Sequence, residues 1–147
     1  IQAIDLVMRK LPLQKGAVMR TQLDRMLQTI EAVEQSNNPA FGDTAQRLRE
    51  AVTALEGATH FILAHVKDQP QKVLAGATSY LRLFGVAQGG VALAKRGLLA
   101  ALENDAESEI ALARFFAAQI ASEAQGLGRI VTEGAEALDA AFAVLAS

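Results

Sequence analysis

Apolar residues recur every three or four positions through the second half of the chain. The first series comprises Val73, Ala77, Tyr80, Phe84, Ala87, Val91, Ala94, Leu98 and Ala101. The second series comprises Ile110, Ala113, Ala117, Ile120, Ala124, Leu127 and Val131, and it continues through Leu138, Phe142 and Leu145. Such spacing places apolar side chains along one stripe of a helix, and two stripes of this kind pack neighbouring helices at roughly 20°. Because no stretch alternates with period two over the length of a strand, the sequence predicts an all-α fold.

Prolines and capping residues mark the expected ends of the helices. The predicted helices run to about Leu11, from Gln14 to Gln35, from a cap at Asp43 or Thr44 to about Asp68, from Pro70 to about Asn104, and from the Asn104–Asp105 turn to the end of the chain with a bend near Gly126 and Gly128. Proline suits the first turn of a helix, and Pro70 is placed there. We therefore expect an antiparallel up-down bundle of four main helices plus a short N-terminal helix.

Glycines are frequent in the helix predicted to begin at Pro70. They are Gly85, Gly89, Gly90 and Gly97. A glycine inside a helix costs about 1 kcal/mol relative to alanine, so we expect a neighbouring helix to approach the backbone closely here. The apolar stretch between Arg82 and Lys95 is too short for a membrane span, which needs roughly 20 residues.

Composition excludes several classes of function. The net charge is −2, and no basic stripe with interleaved aromatic residues is present, so we expect no nucleic-acid partner. The chain has no cysteine, which excludes disulfides, thiolate metal sites and a cysteine nucleophile. This composition agrees with a cytoplasmic location.

The spacing of the two histidines argues against a metal site. His60 and His65 are five residues apart, which separates them by roughly 140° around a helix. We expect one to be partly buried and the other to lie at the surface. A di-iron bundle needs Glu-x-x-His pairs on two helices, whereas Glu56 and His60 have the wrong spacing and no second copy.

Other polar residues also have structural interpretations. Gly126 and Gly128 lack the preceding strand and the third glycine of a dinucleotide fingerprint. Arg82, beside Tyr80, either binds a carboxylate or phosphate of a ligand or pairs with an acid of a neighbouring helix, and we favour the second. The remaining candidates are solvent-facing arginines, an acidic helix start and serines without a base: Arg20, Arg25, Arg47 and Arg49; Glu103, Asp105, Glu107 and Glu109; Ser79, Ser108 and Ser122. We predict no catalytic, cofactor-binding or metal-binding residue in this chain.

Two segments resemble the flavin-dependent acyl-CoA dehydrogenases. Residues 1–11 (IQAIDLVMRKL) resemble the segment that follows the catalytic glutamate in that family, apart from Met8, where the family has glycine. Residues 76–90 (GATSYLRLFGVAQGG) resemble an additional C-terminal helical domain of a larger subgroup that includes 3-methylmercaptopropionyl-CoA dehydrogenases. Residues 111–117 (ALARFFA) fit the next helix of the same domain.

The resemblance implies a domain organisation and a parent activity. Residues 1–13 would be the end of the catalytic domain, and residues 14–147 the additional helical domain. The parent would bind FAD and oxidise an acyl-CoA to the 2,3-enoyl-CoA in fatty acid metabolism, passing electrons to an electron-transfer flavoprotein. The family's catalytic glutamate would lie upstream of Ile1, in a Tyr-Glu-Gly-Thr run. We also expect a longer protein because the apolar helical pattern begins at residue 1 without a capping residue.

Two functional hypotheses follow. In the first, the chain is a catalytically inactive, cofactor-free fragment of an acyl-CoA dehydrogenase that packs on the rest of that chain and supports a homo-oligomer. In the second, the chain is a stand-alone helical bundle that acts as a protein-interaction or regulatory module. A severed domain exposes its former interface as an apolar patch, whereas an autonomous module has a polar outer surface.

Overall fold

A computed structural model describes residues 1–119 and 121–147, which contain helices and turns and no strand. The α-helices are α1 (Gln2–Asp5), α2 (Ala17–Gln35), α3 (Thr44–His65), α4 (Pro70–Ala75), α5 (Ala77–Leu102), α6 (Glu107–Gln119) and α7 (Ala124–Ala146). A π-helical turn covers Leu6–Lys10, and 3₁₀ turns cover Leu13–Gly16, Pro39–Phe41 and Ala121–Glu123. The predicted all-α class is confirmed.

The helices α3 and α5 form the centre of the fold and run in opposite directions. Thr59 near the end of α3 meets Tyr80 near the start of α5, with the two hydroxyl oxygens 2.8 Å apart. Towards the other end, the backbone of Gly90 approaches Leu48. The helices α2, α6 and α7 all contact this pair. The predicted close approach at the glycines is therefore confirmed at Gly90, whereas a methyl group on Gly85 would meet open space.

The helix predicted from Pro70 to Asn104 is divided in two at Gly76. Here α7 crosses the chain so closely that a Cβ atom on Gly76 would lie 2.9 Å from Cα of Val131. Only a residue without a side chain allows two backbones to meet at this distance. The prediction of one continuous helix was therefore wrong, because the spacing of apolar residues carries no information about which other helix crosses the chain.

The bend in the last predicted helix lies earlier than expected. It falls at the 3₁₀ turn Ala121–Glu123, whereas Gly126 and Gly128 both lie inside α7. The hydroxyl of Ser122 donates to the carbonyl of Ala118 at 2.8 Å, an arrangement that often bends helices. Gly128 instead lies against α3, where a Cβ atom would stand 3.4 Å from Cβ of Ala54.

The other predicted ends differ by a few residues. The helix α2 begins at Ala17 rather than Gln14, because Gln14 and Lys15 have φ of 52° and 55°, which no α-helix contains. The helix α3 ends at His65 rather than Asp68. Asp43 precedes α3 without a side-chain capping bond and pairs with Arg47 instead, at 3.1 Å.

The two apolar series are buried over most of their length. Buried members are Val73, Ala77, Tyr80, Ala87, Val91, Ala94, Ile110, Ala113, Ala117, Ala124 and Val131. Phe84, Leu98 and Leu127 are partly buried against the core, and Ile120 lies outside the described residues. The last three members, Leu138, Phe142 and Leu145, are exposed. In the described part of the chain, no helix combines the length and the apolar content that crossing a membrane requires.

Replacing Gly76 by alanine tests the helix crossing. We expect Gly76→Ala to lower the free energy of unfolding by about 1–3 kcal/mol, the usual cost of forcing atoms into a filled site. The matched control Gly85→Ala, in open space on α5, should raise it by up to about 1 kcal/mol through helix propensity. Denaturant titration followed by circular dichroism measures both. Equal stabilisation by the two substitutions would contradict the close crossing.

Candidate functional site

The groove between α3 and α7 is the first candidate site, with a volume of about 500 Å³. Its charged side chains are Arg49, Glu50 and Arg129. Nη2 of Arg49 donates to both carboxylate oxygens of Glu34 on α2, each at 3.0 Å, so this guanidinium is already engaged. Thr132, also in the lining, donates its hydroxyl to the carbonyl of Gly128 at 3.1 Å. Among these lining residues, the described hydrogen bonds pair no nucleophile with a base.

A polar contact inside the core joins Thr59 and Tyr80, which are both fully buried. The Thr59 hydroxyl donates to the carbonyl of Leu55 at 2.7 Å, so it accepts the proton of the Tyr80 hydroxyl. Burial raises the pKa of Tyr80 to about 12. The phenol therefore stays neutral at physiological pH and ties α3 to α5.

Arg82 forms the ion pair that the sequence favoured. Its Nη2 donates to Oε1 of Glu123 at 2.8 Å, which links α5 to the turn between α6 and α7. The carboxylate that Arg82 binds thus comes from the same chain. Exposed ion pairs of this kind contribute about 1 kcal/mol or less.

The histidines lie as the spacing predicted. His60 is exposed, whereas His65 is partly buried. Nδ1 of His65 lies 2.8 Å from the carbonyl oxygen of Phe61, and the two rings are tilted by 32° with their centres 4.3 Å apart. Among residues 1–119 and 121–147, no three His, Asp or Glu side chains are grouped so that they could hold a metal ion.

Ion pairs between helices are the polar contacts that the sequence did not reveal. Besides Arg49 with Glu34, Arg96 pairs with Glu109 at 3.0 Å. These partners are 15 and 13 residues apart in the chain, so helical spacing cannot identify them. The sequence indicated only a solvated face for Arg49 and an acidic helix start for Glu109.

Exposed apolar side chains near the start of the chain and along the end of α7 form two further candidate surfaces. The N-terminal patch consists of Ile1, Ile4, Leu13 and Val18, which are all exposed. A cleft of about 420 Å³ lies beside Ile1 and Ile4 and is also lined by Met8 and Arg9. The second surface is the α7 overhang, residues 136–147, in which every residue is exposed.

Both surfaces lie at the end of the fold that carries α4. The π-helical turn of residues 6–10 contacts α4, and α4 contacts α7. Nζ of Lys72 on α4 stands 3.7 Å from Oε1 of Glu136, at the root of the overhang. Ile1 and Ile4 line one cleft together, and exposed apolar surface that is contiguous marks a site of interaction.

Comparison with protein families gives a match, over residues 22–141, to the family described as acetyl-CoA dehydrogenase C-terminal like. The chain belongs to this family. The match covers α3 to α6 entirely and most of α2 and α7, including the segment of residues 76–90 that carried the resemblance. Comparison with curated proteins and with solved structures gives no significant match.

The buried pair of Tyr80 and Thr59 predicts a specific pH dependence of stability. The pKa of Tyr80 is about 12 in the fold, above its ordinary value of 10. Only the unfolded chain loses this proton between pH 10 and 12, so folding stability falls with rising pH in that window, by at most about 1.4 kcal/mol per pH unit. Tyr80→Phe should remove this contribution and cost about 1–2 kcal/mol at pH 7.

Denaturant titrations of the original protein and of Tyr80→Phe at pH 7, 10 and 11 measure how the free energy of unfolding of each depends on pH. The other titratable groups contribute equally in the two proteins, so the difference belongs to Tyr80. A Tyr80→Phe protein with the same slope above pH 10 as the original would show that the phenol is not buried.

Proposed function

We propose that this chain is the additional C-terminal helical domain of an FAD-dependent acyl-CoA dehydrogenase. The observation that carries the proposal is the family match over residues 22–141. The resemblance of residues 76–90 further supports the subgroup that includes 3-methylmercaptopropionyl-CoA dehydrogenases. In the parent, FAD would accept a hydride from the acyl-CoA and leave the 2,3-enoyl-CoA, and an electron-transfer flavoprotein would then accept the electrons.

The role proposed for the chain itself is structural. The polar groups among the described residues hold the helices together. Arg82, for example, forms an ion pair with Glu123, and Tyr80 is buried between α3 and α5. The proton-abstracting glutamate would belong to the preceding part of the parent, and FAD would be bound there. We also infer that α2, α3, α5 and the pair α6–α7 assemble as an up-down bundle, which suits a supporting domain.

The N-terminal patch is the surface that would meet the catalytic part of the parent. Residues 1–13 resemble the end of the catalytic domain, and Ile4 and Leu13 expose apolar side chains within them. Packing an apolar patch on another domain removes its surface from water, at about 25 cal/mol per Å². The patch therefore supports a docked domain over the alternative of a stand-alone regulatory module, whose surface would be polar.

The location and assembly of the parent belong to the same proposal. We propose that the parent is cytoplasmic, since the chain has no cysteine and therefore forms none of the disulfides that are typical of secreted proteins. We also propose that it is a homo-oligomer, because a symmetric pair of copies would cover exposed apolar surface.

The enzyme assay compares the full-length gene product with this chain. We expect the full-length protein to bind FAD and to reduce an artificial electron acceptor with acyl-CoA, whereas the 147-residue chain does neither. The chain with added FAD is the matched control, because it contains the helical domain without the upstream glutamate. Turnover by the isolated chain would refute the structural role, and a full-length protein without flavin or turnover would refute the acyl-CoA dehydrogenase parent.

A further inference from the structure

Residues 1–11 take part in the core of this fold. Val7 is fully buried, and Ala3 and Leu11 expose only 8% and 3% of their surface. All three belong to the hydrophobic cluster that also contains Tyr80 on α5. The helix α1 contacts α5, and the π-helical turn contacts both α4 and α5. The segment that resembles the end of a catalytic domain is therefore packed into the core of the helical domain.

The π-helical turn of residues 6–10 keeps the three buried side chains on one side. In an α-helix each step of four residues turns the side by about 40°, so Leu11 would lie about 80° from Ala3. The backbone N–H of Leu11 instead donates to the carbonyl of Leu6 at 2.8 Å, five residues back. Such a wide turn rotates less per residue and brings Leu11 back towards the core. Turns of this kind are rare, and they are found frequently at functional sites.

A second side of the same segment is also apolar. Ile1 and Ile4 lie roughly 160° and 100° from Ala3 around the helix. They line the cleft of about 420 Å³ together with Met8 and Arg9. In the described part of the chain, α4 and α5 cover the inner side, whereas Ile1 and Ile4 are exposed. A helix with apolar residues on two sides packs between two layers.

The charged residues of the segment pair with one another. Nε of Arg9 donates to Oδ1 of Asp5 at 2.7 Å, and Nζ of Lys10 lies 3.4 Å from Oδ2 of the same carboxylate. The hydrogen bond from Arg9 lowers the pKa of Asp5, so this carboxylate is charged at neutral pH. Because these charges have partners within the segment, the second side offers apolar contact to whatever packs on it.

The connection from this segment to α2 is fixed as well. Gln14, Lys15 and Gly16 have positive φ of 52°, 55° and 77°, a conformation that costs free energy where a side chain is present. Nη1 of Arg20 donates to the carbonyl of Lys15 at 2.7 Å. Leu63 of α3 lies so close to the buried Gly16 that a Cβ atom there would stand 2.6 Å from Cδ1 of Leu63. The connection is therefore held in place and differs from a flexible linker.

We propose that residues 2–11 are a shared helix, with one side in the core of this domain and the other against the preceding part of the parent, and that Val7 and Leu11 are positioning residues for that part. The inference rests on the proposed function, in which the proton-abstracting glutamate lies upstream of Ile1. Because α4 and α5 hold the shared helix, a change in these contacts moves the backbone that leads to the base. A displacement of about 1 Å can lower a rate by about 100-fold.

The first experiment compares Val7→Ala with Val33→Ala in the full-length protein. Both valines are buried, and Val33 lies about 24 Å along α2 from the end that adjoins Gly16. Both substitutions should lower the midpoint of denaturant unfolding to a similar extent, because each leaves a small cavity. Only Val7→Ala should lower kcat, by about 10-fold or more and with little change in KM, because it alters geometry rather than substrate binding.

A conservative pair at the next buried position supplies the rescue. Leu11→Ala should lower kcat in the same way, whereas Leu11→Met, which keeps the volume of the side chain, should retain it.

The second experiment separates the two sides of the shared helix. Ile4 is 52% exposed, so Ile4→Glu should leave the unfolding midpoint of the 147-residue chain unchanged. In the full-length protein the same substitution should lower both the midpoint and kcat, because it buries a charge between the two domains. The matched control is Leu99→Glu near the far end of α5, where Leu99 is 56% exposed. The control should change neither protein.

Three results would overturn the proposal. They are equal loss of kcat in Val7→Ala and Val33→Ala, an unchanged midpoint and kcat in full-length Ile4→Glu, and an unchanged midpoint in Val7→Ala of the isolated chain. Where Val7→Ala does not fold, Ile4→Glu and its control still decide. A full-length protein without flavin or turnover would refute the proposed function instead, and the unfolding midpoints would still show whether the helix is shared.

Discussion

The contact between α3 and α5 is the interaction on which the rest of the structure depends. The hydroxyl of Tyr80 donates to that of Thr59 inside the core, where no water can replace it. At the other end of the pair, the backbone of Gly90 leaves room for Leu48 and for the ring of Phe116 on α6. The helices α2, α6 and α7 then pack around these two. A change in how α3 and α5 pack would therefore displace α2, α6 and α7.

Helical spacing predicted the fold class and most of the core, because burial and the 3.6-residue period are linked directly. It could not predict the division at Gly76, since that depends on Val131, 55 positions away in the chain. It also could not separate the buried Val131 from the exposed Phe142, which belong to one stripe. An apolar stripe in the sequence shows which face of a helix is apolar. Only the three-dimensional structure shows how far along that helix the neighbouring helices cover the face.

The same reasoning applies to function. The spacing of His60 and His65 was enough to argue against a paired metal site, and Arg82 pairs with Glu123 as the sequence favoured. The exposed surfaces at the α4 end became visible only in three dimensions, because Ile4 and Phe142 are far apart in sequence. The chain belongs to the family described as acetyl-CoA dehydrogenase C-terminal like, and it exposes apolar side chains both near its start and along the end of α7.

Amide hydrogen exchange, compared between the isolated chain and the full-length protein, tests most directly whether this domain works through its α4 end. The account predicts slower exchange in the full-length protein at residues 13–21 and 66–75, which adjoin the N-terminal patch and α4. Exchange at residues 46–58, which line the groove between α3 and α7, should stay the same. Unchanged exchange at the α4 end, or slower exchange confined to the groove, would contradict the account.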